Sequence, residues 1–168
     1  MRKSYDEPAF SKMSDELKAD VNNIEDSIRK LCQEQAFAVL AAQGKGQPYT
    51  VLIGFAASQD LRRIVFTTPK HTRKYHLIER GRRVSLLVDN RSQQEDSINQ
   101  ISAVTITGTA RILTDRDEIE FWASLLTDKH PYLKEFVKSS STATILVEAV
   151  RYFYVRRFQE VFEWSPAT

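Results

Sequence analysis

An α+β fold built on a small antiparallel β-barrel of about six strands is what this sequence predicts, and three observations predict it. Apolar residues alternate with polar ones, or come in short bursts, through most of residues 37–158. One amphipathic helical stripe precedes them and shorter helical stretches interrupt them. Turn residues recur at intervals short enough to join neighbouring strands. At 168 residues one core suffices, and neither an internal repeat nor a linker divides the chain.

Residues 1–13 read as a polar tail without the apolar segment of a secretory signal, and 14–168 as a single domain. From Ser14 to Gln35, Leu17, Val21, Ile24, Ile28 and Leu31 mark one helical face, with Ser14 as N-cap and Asp15 and Glu16 in the first turn. Phe37 to Ala42 and Tyr49 to Ala57 read as a hairpin around Gly44-Lys45-Gly46-Gln47-Pro48. Ser58 to Leu61 turns the chain again and Arg63 to Thr68 forms a third strand, so the three strands predict a meander.

Thr72 to Arg80 is a short helix stopped by Gly81. Val84 to Val88 is almost wholly apolar and predicts a central strand. Asp89 to Gln100 is a polar, glutamine-rich loop. Ala103 to Leu113 alternates as a strand in which Gly108 marks a bulge or bend. Asp115 to Asp128 is a helix capped by Asp115, with Glu118 completing a capping box and Ile119, Trp122, Leu125 and Leu126 facing inward. His130-Pro131 breaks it, Tyr132 to Val137 adds a turn or two, and Thr142 to Phe158 is one long strand ending near Trp164.

Lysine and arginine number 24 against 22 acidic residues, so a net charge of +2 offers no broad field for nucleic acid or membrane. No apolar run approaches the roughly 20 residues of a membrane-spanning helix. Cys32 stands alone, which excludes an internal disulfide framework and suits the cytoplasm. Its neighbours Gln33 and Glu34 lower no thiol pKa, so an inert thiol is predicted. His71, His76 and His130 lack the carboxylate partners and spacing of a metal centre, and no metal is predicted. Tyr152, Phe153, Tyr154, Phe158, Phe162 and Trp164, interleaved with Arg151, Arg156 and Arg157, have the composition of a single-strand stacking platform. Core and interface packing explains the same residues without a basic excess.

The stretch with the most chemistry is Phe66-Thr67-Thr68-Pro69-Lys70-His71-Thr72-Arg73-Lys74. A strand ending in hydroxyls and opening into a helix offers free N–H groups, the positive end of the helix dipole and the three cations Lys70, Arg73 and Lys74 to a phosphate. No P-loop and no dinucleotide fingerprint accompanies it.

In order, these residues resemble the pyridoxamine 5′-phosphate oxidase-like FMN-binding split barrels. The resemblance runs through Ala38-Val39-Leu40-Ala41 and Gly46-Gln47-Pro48-Tyr49, Phe66-Thr67-Thr68, Thr72-Arg73-Lys74, Arg83-Val84-Ser85-Leu86-Leu87-Val88, and Gly108-Thr109-Ala110-Arg111-Ile112-Leu113. It implies a six-stranded antiparallel split β-barrel of Greek-key connection with flanking helices. It further implies a homodimer with FMN at the interface. Thr67, Thr68, Thr72, Arg73 and Lys74 would hold the ribityl phosphate, and Val51, Leu52 and Ile53 would offer backbone groups to the ring. A small-molecule substrate or a donor such as NADH or NADPH would complete a redox reaction.

The departures narrow this. Where the oxidases bring an Arg and a Lys, this chain has Val51 and Ala56; a flavin-reaching Gln corresponds to Ala103; the carboxy-terminal Trp and Arg have no match beyond Trp164. The resemblance therefore implies a flavin-dependent oxidoreductase other than a pyridoxamine 5′-phosphate oxidase. The alternatives are a flavin carrier or sensor, a haem-utilisation or deazaflavin-binding relative, and a nucleic-acid-binding β-barrel.

Overall fold

In a computed structural model of the chain, which describes residues 17–93, 98–157 and 160–166, the first apolar stripe forms helix α1 (Leu17–Glu34). Ile24, Ile28 and Leu31 are buried along it, and Cys32 joins them in the core. Ser14, Asp15 and Glu16 lie outside the described residues. The carbonyls that a helix leaves open at its C-terminus meet a distant donor: Lys129 Nζ bonds Cys32 O and Gln35 O, each at 2.7 Å.

Strands β1 (Phe37–Gly44) and β2 (Gln47–Gly54) form the expected hairpin, in register from Phe37↔Gly54 to Gly44↔Gln47. Lys45 and Gly46 both adopt left-handed backbone, φ 53° and 80°, the paired conformation whose twist suits a two-residue hairpin. The remaining strands are β3 (Ala56–Ala57), β4 (Arg63–Pro69), β5 (Arg83–Asp89), β6 (Ala103–Ile112), β7 (Thr142–Arg156) and β8 (Glu160–Trp164). They form one curled antiparallel sheet in the order β2-β1-β5-β6-β7-β4-β3, with β8 added to the second half of β7. The central place expected for Val84 to Val88 is found in β5, between β1 and β6.

The predicted meander forms only in part: its second strand, Tyr49 to Ala57, divides into β2 and β3, and only the Ala56–Ala57 end pairs with β4. β4 lies beside β3 and β7, not β2. Ile64, Val65 and Phe66 are buried on both faces, so β4 needs a neighbour equally apolar on both. Ile145, Leu146 and Val147 of β7 supply it, whereas β2 is half exposed. The final run is also two strands, giving eight among the described residues where about six were expected. Arg157 takes φ 47°, and Glu160 binds Arg156 at 2.9 Å and Arg157 at 3.3 Å across the reversal.

The Gly108 bulge is present. Register slips between Thr107 and Gly108, leaving Val150 of β7 as the extra residue. A Cβ on Gly108 would stand 2.4 Å from Glu148 O, so only glycine admits this approach.

Two apolar clusters flank β4 and β7. The larger fills the barrel beneath α1; the smaller joins Ala56, Val65, Leu113 and Leu146 to Leu126 of α3 (Arg116–Lys129), with Val137 of α4 (Lys134–Lys138) packed on it. Asp115 caps α3, accepting from Glu118 N at 2.9 Å. The Glu118 carboxylate does not complete the capping box but binds the Arg111 guanidinium, a stronger charged partner than a neutral N–H.

Candidate functional site

β4 leaves the sheet at Thr67-Thr68-Pro69, and strand alternation sends the two hydroxyls to opposite faces. Thr67 pairs with Thr144 on the face that α3 and α4 cover. Thr68 pairs with Ala143 inside the barrel, where it is fully buried with Oγ1 2.9 Å from Thr72 Oγ1. Thr67 and Thr68 therefore do not converge through their side chains.

Helix α2 (Arg73–Arg80) begins after Thr72, whose backbone is extended (φ −87°, ψ 153°). The Thr72 hydroxyl bonds Pro69 O at 2.8 Å rather than the first-turn amides, so α2 has no side-chain cap. It also has no acidic residue in its first turn. The leading N–H groups and the positive end of the helix dipole are thus left for an outside anion. Gly81 ends the helix as predicted, but in extended backbone, donating its N–H to Leu77 O at 2.8 Å.

Two cations flank this end. The Arg73 guanidinium lies 5.0 Å from the centre of the Tyr49 ring on β2. Lys74 is half-buried, and its ammonium pairs with no carboxylate among the described residues. Burial holds its pKa below the usual lysine value. A partly desolvated charge without a counter-ion is the arrangement that an anionic ligand completes, and a phosphate at this junction fits the residues present. Lys70 is turned elsewhere, with its N–H on Ser141 O at 2.8 Å and Nζ on Ser140 O at 2.9 Å.

β2 has no strand on its outer edge among the described residues. Val51 and Ile53 pack inward, while the Leu52 side chain is 62% exposed on the outer face of the sheet. Since Gly44 and Gln47 close the hairpin, alternate pairs direct the main-chain groups of Thr50, Leu52 and Gly54 to the open edge. Of the three ring-facing candidates, Leu52 is the one whose backbone is free; those of Val51 and Ile53 point to β1.

Sequence reasoning missed Tyr49. Its place on the Val51 and Ile53 face was readable from alternation, but its contact with Arg73 depends on how α2 docks against the hairpin. Several singled-out residues prove structural. His130 is buried between Phe55 O and the Tyr132 hydroxyl, each 3.0 Å from a ring nitrogen. Burial raises the Cys32 thiol to about 12, consistent with the predicted inertness. Tyr152 and Tyr154 face the core, and Trp164 meets Tyr152 edge-on at 5.2 Å, so these three serve packing; Phe158 lies outside the described residues. Ala56 is buried beneath α3 rather than turned to the β2 edge.

A curled antiparallel sheet open beside β2, with an uncapped helix following β4, defines the split β-barrel class. Within it the chain belongs to the pyridoxamine 5′-phosphate oxidase family, whose model matches residues 24–156. The sequence matches none of the curated proteins. Among solved structures, a heme binding protein from Mycobacterium smegmatis is similar at 15% identity and TM-score 0.75, over 84% of this chain and 57% of that one. Campylobacter jejuni ChuZ is similar at 10% identity and TM-score 0.74, over 92% of this chain and 70% of that one. A FAD-binding protein from Mesorhizobium loti is similar at 16% identity and TM-score 0.61, over 74% and 88%. This chain therefore spans little more than half the length of the mycobacterial protein, and at such identities the likeness is one of fold.

Proposed function

We propose that this protein binds FMN, with the ribityl phosphate at the junction of β4 and α2 and the ring along the open edge of β2. The observation that carries the reading is Lys74, half-buried with no carboxylate partner among the described residues, beside an uncapped helix start. Lys74 and Arg73 supply charge-assisted bonds, the α2 amides supply direction, and Thr68 fixes Thr72. Two copies pair through the outer face of β1 and β2, where Phe37 and Leu52 stand exposed, and close the ring site between them in the cytoplasm.

A flavin supplies hydride and electron chemistry; the chain contributes position and exclusion of water. The reading extends to an oxidoreductase acting on a small molecule with NADH or NADPH as donor. Its substrate differs from pyridoxamine 5′-phosphate, because Val51 is apolar and Trp164 is committed to Tyr152.

The test is the visible spectrum of the purified protein before and after adding FMN, followed by a titration of variants. Flavin bands should appear, and K74A and R73A should each weaken FMN about 10–100-fold, the range of a charged phosphate contact. Reduction of bound flavin by NADH or NADPH without air then separates an enzyme from a carrier. The absence of FMN binding overturns the reading. A second reading, haem, draws on His71 and His76 lining one hollow beside α2 and on the named ligand of the mycobacterial structure; a Soret band would favour it.

A further inference from the structure

Arginines elsewhere in this protein are mostly paired with carboxylates. Arg63 meets Glu148 at 3.6 Å, Arg91 meets Asp89 at 3.1 Å and Arg151 meets Glu163 at 3.6 Å. The region around α2 departs from that habit. Lys45, Arg73 and Arg80 have no carboxylate partner among the described residues. The one acidic side chain on α2, Glu79, faces His76, with Oε2 3.7 Å from Nδ1.

These charges are gathered. Arg73, Leu77 and Arg80 form one stripe of α2, and this stripe walls two adjoining hollows. One is completed by His71 and His76, the other by Gly44, Lys45 and Gly46 of the hairpin turn. Gly44 lets the turn approach closely, since a Cβ there would stand 2.4 Å from Leu77 Cδ2. From Arg73 to Arg80 the helix rises about 10 Å at its standard pitch. The stripe thus begins at the proposed phosphate junction and carries positive charge away from it, over a length that one nucleotide spans.

We propose that this flank of α2 binds the adenosine diphosphate portion of a dinucleotide, with Arg73 shared between the two ends of the site. The inference rests on the phosphate reading above for its starting point. Lys45 and Arg80 neutralise the added phosphate charge. The guanidinium of Arg80 and the imidazoles of His71 and His76 offer planar surfaces and donors to an adenine. The same moiety occurs in FAD, where its β-phosphate is the flavin phosphate itself, and, with an added 2′-phosphate, in NADPH, where it belongs to a separate donor molecule.

Calorimetric titration of the full chain at low salt tests this, comparing wild type with the Lys45→Ala/Arg80→Ala double variant. The probes are ADP, FMN and FAD, and NADPH added to FMN-loaded protein. The double variant should weaken ADP about tenfold, the scale of losing exposed charged phosphate contacts, and leave FMN within about twofold. A parallel loss for FAD assigns the moiety to the flavin; a parallel loss for NADPH assigns it to the donor. Equal ADP binding by both proteins, or an equal loss for FMN, overturns the inference while leaving the FMN reading intact. If FMN binds neither protein, that reading fails and the ADP arm still decides this one.

Discussion

Two lysines, Lys74 and Lys129, are both partly withdrawn from water, and burial pulls both below the usual lysine pKa. They end differently. Lys129 Nζ bonds two carbonyls at the C-terminus of α1 and lies 4.0 Å from the centre of the Phe55 ring. Lys74 reaches no internal acceptor among the described residues. Where α3 meets the end of α1, the Lys129 charge is answered by the fold itself. The junction of β4 and α2 leaves its charge unanswered, and the proposed FMN phosphate would answer it there.

Stability measurements break this comparison most directly. Lys129→Met removes two charge-assisted bonds and leaves helix carbonyls unmet in a half-buried place, so denaturant unfolding should show a loss of about 2–3 kcal/mol. Lys74→Met takes away no internal bond and should change stability by about 0.5 kcal/mol or less. Equal losses would make Lys74 a structural residue and remove the main support for an anion site.

What the sequence made legible divides along similar lines. The spacing of Ile24, Ile28 and Leu31, the hairpin turn at Lys45-Gly46, the bulge at Gly108 and the cap at Asp115 are local, and each residue carries its reason within a few positions of itself. The choice of β7 over β2 as the partner of β4 is not local. It depends on both faces of β4 being covered, and α3, which covers one, lies far along the chain. The site follows the same rule. Thr72-Arg73-Lys74 at a helix start could be read directly, whereas Tyr49 beneath Arg73 and Lys129 beneath α1 are meetings of distant segments.

The pH dependence of stability sharpens the comparison at the closed end. Lys129 titrates near 8 when folded and near 10.5 when unfolded, so between those values the unfolded chain holds more protons and this group makes stability rise with pH. Cys32 has the opposite sign. Its pKa rises from 9.0 to about 12 on folding, so the folded chain holds the extra proton and stability falls from pH 9 upward. Tyr152, whose buried phenol also titrates above its usual 10.0, adds to the fall above pH 10. In wild type the lysine offsets the thiol between pH 9 and 10.5. Lys129→Met should lose that offset, so that its stability falls steadily from pH 9 in denaturant curves taken at half-unit steps. Parallel profiles for the two proteins would show that Lys129 keeps its proton through the carbonyl bonds.

β4 carries the boundary between the two regions, and its two threonines give the smallest effects. Thr67 faces the packed side beneath α3 and α4, and Thr68 faces the barrel interior, where its hydroxyl meets that of Thr72 just before α2. Thr68→Val keeps the volume and removes the bond to Thr72, loosening the residue before the free amides of α2. One neutral hydrogen bond is worth about 1 kcal/mol. FMN binding should therefore weaken by about fivefold, a change that titration resolves. Thr67→Val alters a hydroxyl that the alternation of the strand turns away from the ligand, and binding should stay within about twofold. A loss at Thr67 equal to that at Thr68 would mean that the ligand reaches around the strand end to both faces, and the boundary drawn through β4 would have to move.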